Sequence, residues 1–186
     1  MDEQTLARYC SQHDRMAEYE LYNRYAVRVF AICRRYLRRE DQAEDLMLEV
    51  LVQALDKMDS FRYVGKGSLE AWISRIAINM AVDQIKRERR WLTISTIPLD
   101  VGVIDTIPDM TEQEMEMVPT EKLQEWISGL PAMRRVVFNL HCIDGYSHKE
   151  IGAMLGISET GSSSVLAKAR KTLKEMIMAY LKERDK

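Results

Sequence analysis

A chain of 186 residues is long enough for one domain with a substantial core or for two small ones, and its scarce glycine (8) and proline (4) favour helix. The apolar runs are too short to cross a bilayer, the polar start does not resemble a signal peptide, and three distant cysteines argue against a disulfide framework, so we expect a protein of the reducing cytoplasm. The net charge of −2 is unevenly spread along the chain. Acidic and basic side chains nearly balance in residues 1–90, whereas residues 91–121 carry seven acidic and no basic side chains. Residues 122–186 carry 11 basic and seven acidic side chains.

The first ninety residues show the apolar periodicity of packed helices. One stripe comprises Tyr22, Tyr25, Val29, Ile32, Cys33 and Tyr36, and a second comprises Ala43, Leu46, Met47, Val50, Leu51, Ala54, Leu55 and Met58. Glycines at 65 and 67 predict a loop over Phe61–Ser68, after which Ser68 is expected to cap a third helix with Glu70 in its first turn. The apolar residues of that helix are Trp72, Ile73, Ile76, Ala77, Met80 and Ile85.

Residues 91–121 contain acids and prolines without a sustained helical period, which predicts a partly extended linker, with a short helical turn compatible with residues 112–117. Helical patterning then returns. Leu123, Trp126, Ile127 and Leu130 indicate a short helix, and Val136, Val137 and Leu140 are the expected buried residues of the next one. Pro131 is expected at the first position of that second helix, where a missing amide proton costs nothing.

The segment Gly145–Ser158 predicts a helix-turn-helix. Ser147 and Glu150 have the spacing of a capping box, Gly156 is placed for a left-handed stop, and Ser158 can cap the following helix. The expected buried positions are Ile151, Met154, Leu155 and Ile157 in the first helix and turn, and Val165, Leu166, Ala169 and Leu173 in the second helix.

The outward face of that second helix is expected to comprise Thr160, Ser163, Ser164, Ala167, Lys168 and Lys171. Small side chains near the start of a helix let its backbone approach base edges, and lysines further along reach phosphates. This pattern favours a helix that reads the major groove of DNA. The alternative is an ordinary helical hairpin with a solvated basic face.

Four stretches in this order, namely Ala43–Val50, Phe61–Asn79, Leu130–Phe138 and the helix-turn-helix, resemble a bacterial RNA polymerase sigma factor of the extracytoplasmic-function (ECF) group. The resemblance covers nearly the whole chain. It implies an all-α fold with a region 2 domain at residues 1–90, an acidic linker at 91–121 and a region 4 domain at 122–186. It also implies that the chain binds core RNA polymerase and promoter DNA, directs transcription initiation without a cofactor, and has an anti-sigma factor as a partner that holds it inactive, in some cases at the membrane.

The polymerase-binding candidates are Asp45, Glu49 and Gln53, which recur at four-residue steps and therefore share one helix face. Taken alone, the spacing is more typical of a solvated acidic edge. The resemblance implies that this face binds the clamp helices of the largest polymerase subunit.

The resemblance assigns recognition and opening of the minus-ten promoter element to the Phe61–Ser68 loop and the helix behind it. The candidate DNA contacts are Arg62, Tyr63, Lys66, Arg75, Asn79, Lys86, Arg87 and Arg90. Trp72 lies within the apolar stripe, so core packing competes with base stacking as its role. The duplex minus-thirty-five element is assigned to Thr160, Ser163, Ser164, Lys168 and Lys171. The acidic linker either passes near the path of the nucleic acid or serves as a solubilising spacer.

Other classes of protein are less compatible with the sequence. The three histidines at 13, 141 and 148 are scattered, His148 is expected at the surface, and His141 and Cys142 are not at metal-ligand spacing. We therefore expect no catalysis, no metal site and no small-molecule substrate. One alternative is a free-standing helix-turn-helix regulator whose first ninety residues sense a signal or dimerise. Another, an anti-sigma or adaptor protein, leaves the basic strip and the DNA-reading helix without a function.

Overall fold

A computed structural model describes residues 1–87 and 118–184, and over these residues the chain is helical without a strand. The α-helices are α1 (Glu3–Ser11), α2 (Arg15–Tyr36), α3 (Glu40–Asp56), α4 (Ser68–Arg87), α5 (Thr120–Gly129), α6 (Ala132–Phe138), α7 (His148–Leu155) and α8 (Glu159–Arg184). A 3-10 turn at Met58–Ser60 follows α3, and a π-helical turn at Asn139–Ile143 extends α6. The predicted all-α fold is confirmed. Among the described helices, none combines the length and the apolar character that spanning a membrane requires.

The chain divides into two compact units, with the boundary between Gln84 and Ile85. The domain limits expected from the sequence, residues 1–90, 91–121 and 122–186, stay predictions. Most of the expected linker, including the turn at residues 112–117, lies outside the described residues.

Two aspartates cap the first two helices of the first unit, α1 and α2. The Asp2 carboxylate accepts the amide of Thr5 at 2.9 Å, and the Asp14 carboxylate accepts the amides of Met16 and Ala17, also at 2.9 Å. These bonds satisfy amides that have no partner within the helix. Helix α1, which the apolar stripes did not predict, is held to the unit by side chains that are fully buried, such as Leu6 and Cys10.

The predicted stripe on α2 is buried except at its first member, Tyr22, which is 43% exposed. Its neighbour Leu21 is fully buried instead, on a helix that packs against α1. Ser68 was wrongly predicted as a cap, since it is the first residue of α4 and its hydroxyl accepts the Val64 amide at 3.4 Å.

In the second unit, Leu130, Ala169 and Leu173 form a buried cluster against which Trp126 and Phe138 pack. The predicted core positions of α6 and the turn after it, Val136, Val137 and Leu140, are fully buried, as expected. Pro131 comes one residue earlier than predicted, immediately before α6.

Arg135 joins α5 to α6 from a buried position. Its guanidinium donates to the carbonyl oxygens of Ser128 at 3.0 Å and Leu130 at 3.1 Å. A cation at the end of a helix satisfies carbonyls that have lost their helical partners. This buried arginine therefore ties the end of α5 to α6.

Candidate nucleic-acid interface

The predicted capping geometry of the helix-turn-helix is present in full. The Ser147 hydroxyl accepts the Glu150 amide at 3.2 Å, and the Glu150 carboxylate accepts the Ser147 amide at 2.8 Å. Gly156 ends α7 in the left-handed conformation with φ 69°. The Ser158 hydroxyl then accepts the amide of Gly161 at 2.9 Å and so caps α8. The capping box, the glycine stop and the second cap are all confirmed.

Gly152 is a residue of the motif that sequence reasoning missed. It is buried in α7, and a methyl group added there would lie 2.7 Å from the Ile157 carbonyl oxygen in the turn. The Ile157 amide in turn donates to the Gly152 carbonyl at 3.1 Å. The turn can therefore pack this closely on α7 only where a side chain is absent.

Helix α8 presents a mixed surface. Of its predicted inward positions, Leu166, Ala169 and Leu173 are buried and Val165 is half-buried. Of the predicted outward positions, Thr160 and Lys171 are exposed, whereas those half-buried are Ser163, Ser164, Ala167 and Lys168. Their contacts with DNA stay a prediction.

The sequence suggested that the three histidines lie apart, but the structure brings two of them together beside α8. The rings of His141 and His148 stack with centroids 4.3 Å apart and planes inclined by 8°. His141 Nδ1 bonds to the Tyr146 carbonyl oxygen at 2.9 Å, and His148 Nδ1 bonds to the hydroxyl of the buried Ser162 at 3.0 Å. His148 is half-buried and so less exposed than predicted, because the chain folds back and stacks the two rings. Within residues 1–87 and 118–184, no three potential metal ligands form a group.

The pair predicts acid sensitivity in this unit. Burial lowers the pKa of His148, and the neighbouring His141 lowers it further, against an opposing effect of Glu159 and with a lesser lowering by Arg170. A histidine whose pKa is lowered in the folded state stabilises that state at pH values above its unfolded pKa of about 6.5. This stabilisation is lost as the pH falls through the folded pKa. We expect the melting temperature of the full chain to fall more steeply in acid than that of His148→Gln. The exposed His13→Gln serves as the control, and identical pH profiles for the two variants would contradict the assignment.

The Phe61–Ser68 loop of the first unit is held at its ends and exposed between them. The Phe61 ring lies 5.4 Å from that of Trp72 at an angle of 53°, and the Gly65 carbonyl accepts the Ser68 amide at 3.1 Å. Trp72 is half-buried by this contact. The exposed side chains between the ends are Arg62, Tyr63, Val64 and Lys66.

Helix α4 continues that surface with polar and basic groups. Arg75, Asn79 and Lys86 are exposed, and their spacing places them on one face. Arg87, the last residue of α4, is also exposed. Arg90, the remaining predicted minus-ten contact, lies outside the described residues.

Helix α3 carries the predicted polymerase-binding residues on its outer face. Asp45 and Glu49 are exposed and Gln53 is half-buried. Sequence reasoning missed Leu48 and Val52, which are 49% and 58% exposed and fall on the same face as the two carboxylates. The signal for them was available, since both are apolar yet outside the buried stripe. The face therefore combines acidic and apolar side chains, a combination suited to a protein partner.

Two family models match the chain, Sigma-70 region 2 over residues 21–91 and Sigma-70 region 4 over residues 120–173. Together they cover about two thirds of its length and include the α3 face, the exposed loop and the helix-turn-helix. The chain belongs to the sigma-70 family. Because the first match is a sigma region, the alternative of a regulator with a sensing or dimerisation domain is not supported. The members of this family are transcription initiation factors.

Relatives confirm the resemblance of this sigma factor to the ECF group. The ECF RNA polymerase sigma-E factor of Haemophilus influenzae is 26% identical over 188 residues, covering 97% of this chain and 98% of that protein. The ECF sigma factor SigE of Mycolicibacterium smegmatis is 26% identical over 88% of this chain, which spans 63% of that relative's length. The sigma factor RpoE of Bartonella quintana, solved in complex with the anti-sigma factor NepR, shares the fold with a TM-score of 0.51 at 22% identity, over 86% of this chain and 96% of that one.

Proposed function

We propose that this sigma-70 family member binds core RNA polymerase in the cytoplasm and directs promoter-specific transcription initiation as an ECF-type sigma factor. The observation that carries the proposal is the presence of regions 2 and 4 in one chain. Residues 1–90 would bind polymerase and open the minus-ten element, and residues 122–186 would read the minus-thirty-five element. Residues 91–121 would join these two activities.

The α3 face supports the polymerase contact through its mixture of charge and apolar area. Asp45 and Glu49 would pair with basic side chains of the clamp helices. Leu48 and Val52, which are exposed in the free chain, would be buried against the partner. Neither kind of contact alone defines a strong interface, because exposed ion pairs contribute little and two apolar side chains are a small area. Their combination on one rigid helix gives the face both affinity and orientation.

The second unit has only a small excess of positive charge, which suits a module that binds DNA only within a larger complex. Residues 122–186 carry 11 basic and seven acidic side chains, a modest excess for neutralising phosphates. When polymerase holds both domains over one promoter, the second contact forms at a high effective concentration. The helix-turn-helix can then select its duplex without binding DNA tightly on its own.

An anti-sigma factor is the proposed inhibitory partner. The similar sigma factor from Bartonella quintana was solved with such a protein bound. A partner of this kind would cover the surfaces of this chain that bind polymerase and DNA. If the partner is anchored in the membrane, it would also hold this chain there. Co-purification with the product of a neighbouring reading frame, reversed by excess core polymerase, would support the pairing.

We expect Asn79→Ala to impair promoter opening more than initial promoter binding. Asn79 is exposed on α4, and its amide can donate to and accept from the edge of an unstacked base. Loss of such a contact corresponds to roughly a tenfold decrease in open complexes. Permanganate reactivity of minus-ten thymines measures opening, and gel retardation measures the initial complex. Asn23→Ala, the same change at an exposed position on α2, is the control, and normal melting with Asn79→Ala would count against the assignment.

The proposed function itself is tested with purified chain, core RNA polymerase and a library of templates with randomised upstream sequence. Transcripts that start at a defined distance from shared minus-ten and minus-thirty-five elements, and only with the chain present, are the expected result. Tight binding of the chain to duplex DNA without any initiation would instead support a free-standing regulator.

A further inference from the structure

The exposed Phe61–Ser68 loop contains two glycines within three residues, and both adopt positive φ, 139° at Gly65 and 86° at Gly67. Glycine is permitted many backbone conformations, so a loop of this composition has a large conformational entropy unless other contacts restrict it. Its middle residues are poorly covered, since Val64 is 86% exposed. The shape of the loop must therefore be set by bonds to its ends.

One of those bonds comes from a distant part of the chain. The Gly67 amide donates to the carboxylate of Glu3 at 2.8 Å, across 64 residues of sequence. The other carboxylate oxygen of Glu3 accepts the hydroxyl of Tyr25 at 3.3 Å. Tyr25 is buried, so the carboxylate is oriented from the core side as it receives the loop amide.

Glu3 is itself rigidly placed. It lies in the first turn of α1, directly after the Asp2 cap, and the following turns of that helix are anchored by the fully buried Leu6 and Cys10. The carboxylate also faces the start of α4, where the helix dipole favours a negative charge. Helix α1 precedes the region 2 match, which begins at residue 21, so the anchor comes from outside the matched segment.

We infer that Glu3 is a positioning residue, which holds the Phe61–Ser68 loop in the shape that presents its exposed side chains to promoter DNA. The inference rests on the proposed function, because the loop needs a fixed shape only if it captures a strand. Its physical basis is preorganisation, in which a loop ordered before binding does not lose that entropy when the strand arrives. Glu3 touches no DNA in this account and acts through the Gly67 amide.

The test uses the full chain carrying Glu3→Ala, Glu3→Gln or the matched control Gln4→Ala, an exposed position on the same helix turn. Hydrogen exchange at the Gly67 amide reports the anchor directly. Permanganate reactivity, on a promoter obtained from the randomised library, reports strand opening by the reconstituted holoenzyme. Core-polymerase affinity and thermal melting are measured alongside.

For Glu3→Ala we expect faster exchange at Gly67 and a roughly threefold to tenfold loss of strand opening, the range for one hydrogen bond, with core affinity unchanged. Glu3→Gln retains an acceptor oxygen without the charge, so both readouts should return toward those of the unmodified chain. Because Glu3→Ala also removes the negative charge, its loss of opening would exclude simple repulsion between the carboxylate and DNA. Gln4→Ala should change neither readout.

Normal opening by Glu3→Ala despite fast exchange at Gly67 would overturn the inference. Equal losses of opening and core affinity would also overturn it, since they indicate a loosened unit rather than a misplaced loop. If the unmodified chain opened no promoter while exchange still responded to Glu3→Ala, the proposed function would have failed and the presentation of the loop to DNA would fall with it. The exchange result would remain as evidence for the hydrogen bond alone.

Discussion

Replacing Asp45 and Glu49 together with lysine is expected to abolish binding to core RNA polymerase while leaving the first unit folded. Both carboxylates are exposed on the outer face of α3. Surface substitutions away from buried networks usually change the free energy of unfolding by less than about 0.5 kcal/mol. Placing like charges opposite each other at an interface costs several kcal/mol, so the affinity should fall about a hundredfold or more.

Binding to labelled core polymerase, measured by titration, and thermal melting followed by circular dichroism separate these two effects. Glu44→Lys is the matched control, because Glu44 is exposed on the same helix but about a quarter turn away from Asp45. Its affinity should stay close to that of the unmodified chain. Retained binding by the double variant would refute the assignment of this face, and loss of the melting transition would show that the substitutions act through the fold.

The features that the sequence predicted well are those set by neighbouring residues. A capping box such as Ser147 with Glu150 joins groups three residues apart, and Gly156 needs only its own backbone to adopt a left-handed conformation. The spacing of apolar residues and the composition are likewise sufficient to predict the helices in which Val136 and Leu166 are buried. The all-α fold and the helix-turn-helix could therefore be predicted before any tertiary contact was known.

The features that the sequence did not predict depend on which elements meet. Tyr22 has the right spacing for the core but is exposed, because spacing does not say which edge of a stripe a neighbouring helix covers. His141 and His148 stack only because the intervening chain reverses. The bond between Glu3 and Gly67 spans 64 residues, and no local pattern marks either partner. The candidate site was accordingly predicted as a set of exposed residues, without the contacts that fix their positions.

Replacing Gly152 with alanine is expected to destabilise the helix-turn-helix, although alanine is the better helix former by about 1 kcal/mol. The added methyl group would lie 2.7 Å from the Ile157 carbonyl oxygen, which belongs to the backbone of the turn and cannot rotate away like a side chain. Overpacking of this kind costs about 1–3 kcal/mol. Because Ile157 leads directly into the Ser158 cap, relief of the clash would shift the start of α8 and with it the helix proposed to read duplex DNA.

Gly129→Ala is the matched control for this change. Gly129 is the last residue of α5, and a methyl group there would meet no heavy atom within 4 Å. Helix propensity alone should make that variant equal to the unmodified chain or more stable by up to about 1 kcal/mol. Denaturant unfolding of the full chain gives both free energies, and transcription from a promoter with and without its minus-thirty-five element shows whether duplex reading is lost. If Gly152→Ala unfolded like Gly129→Ala, the close approach of the turn to α7 would not be what requires glycine at this position.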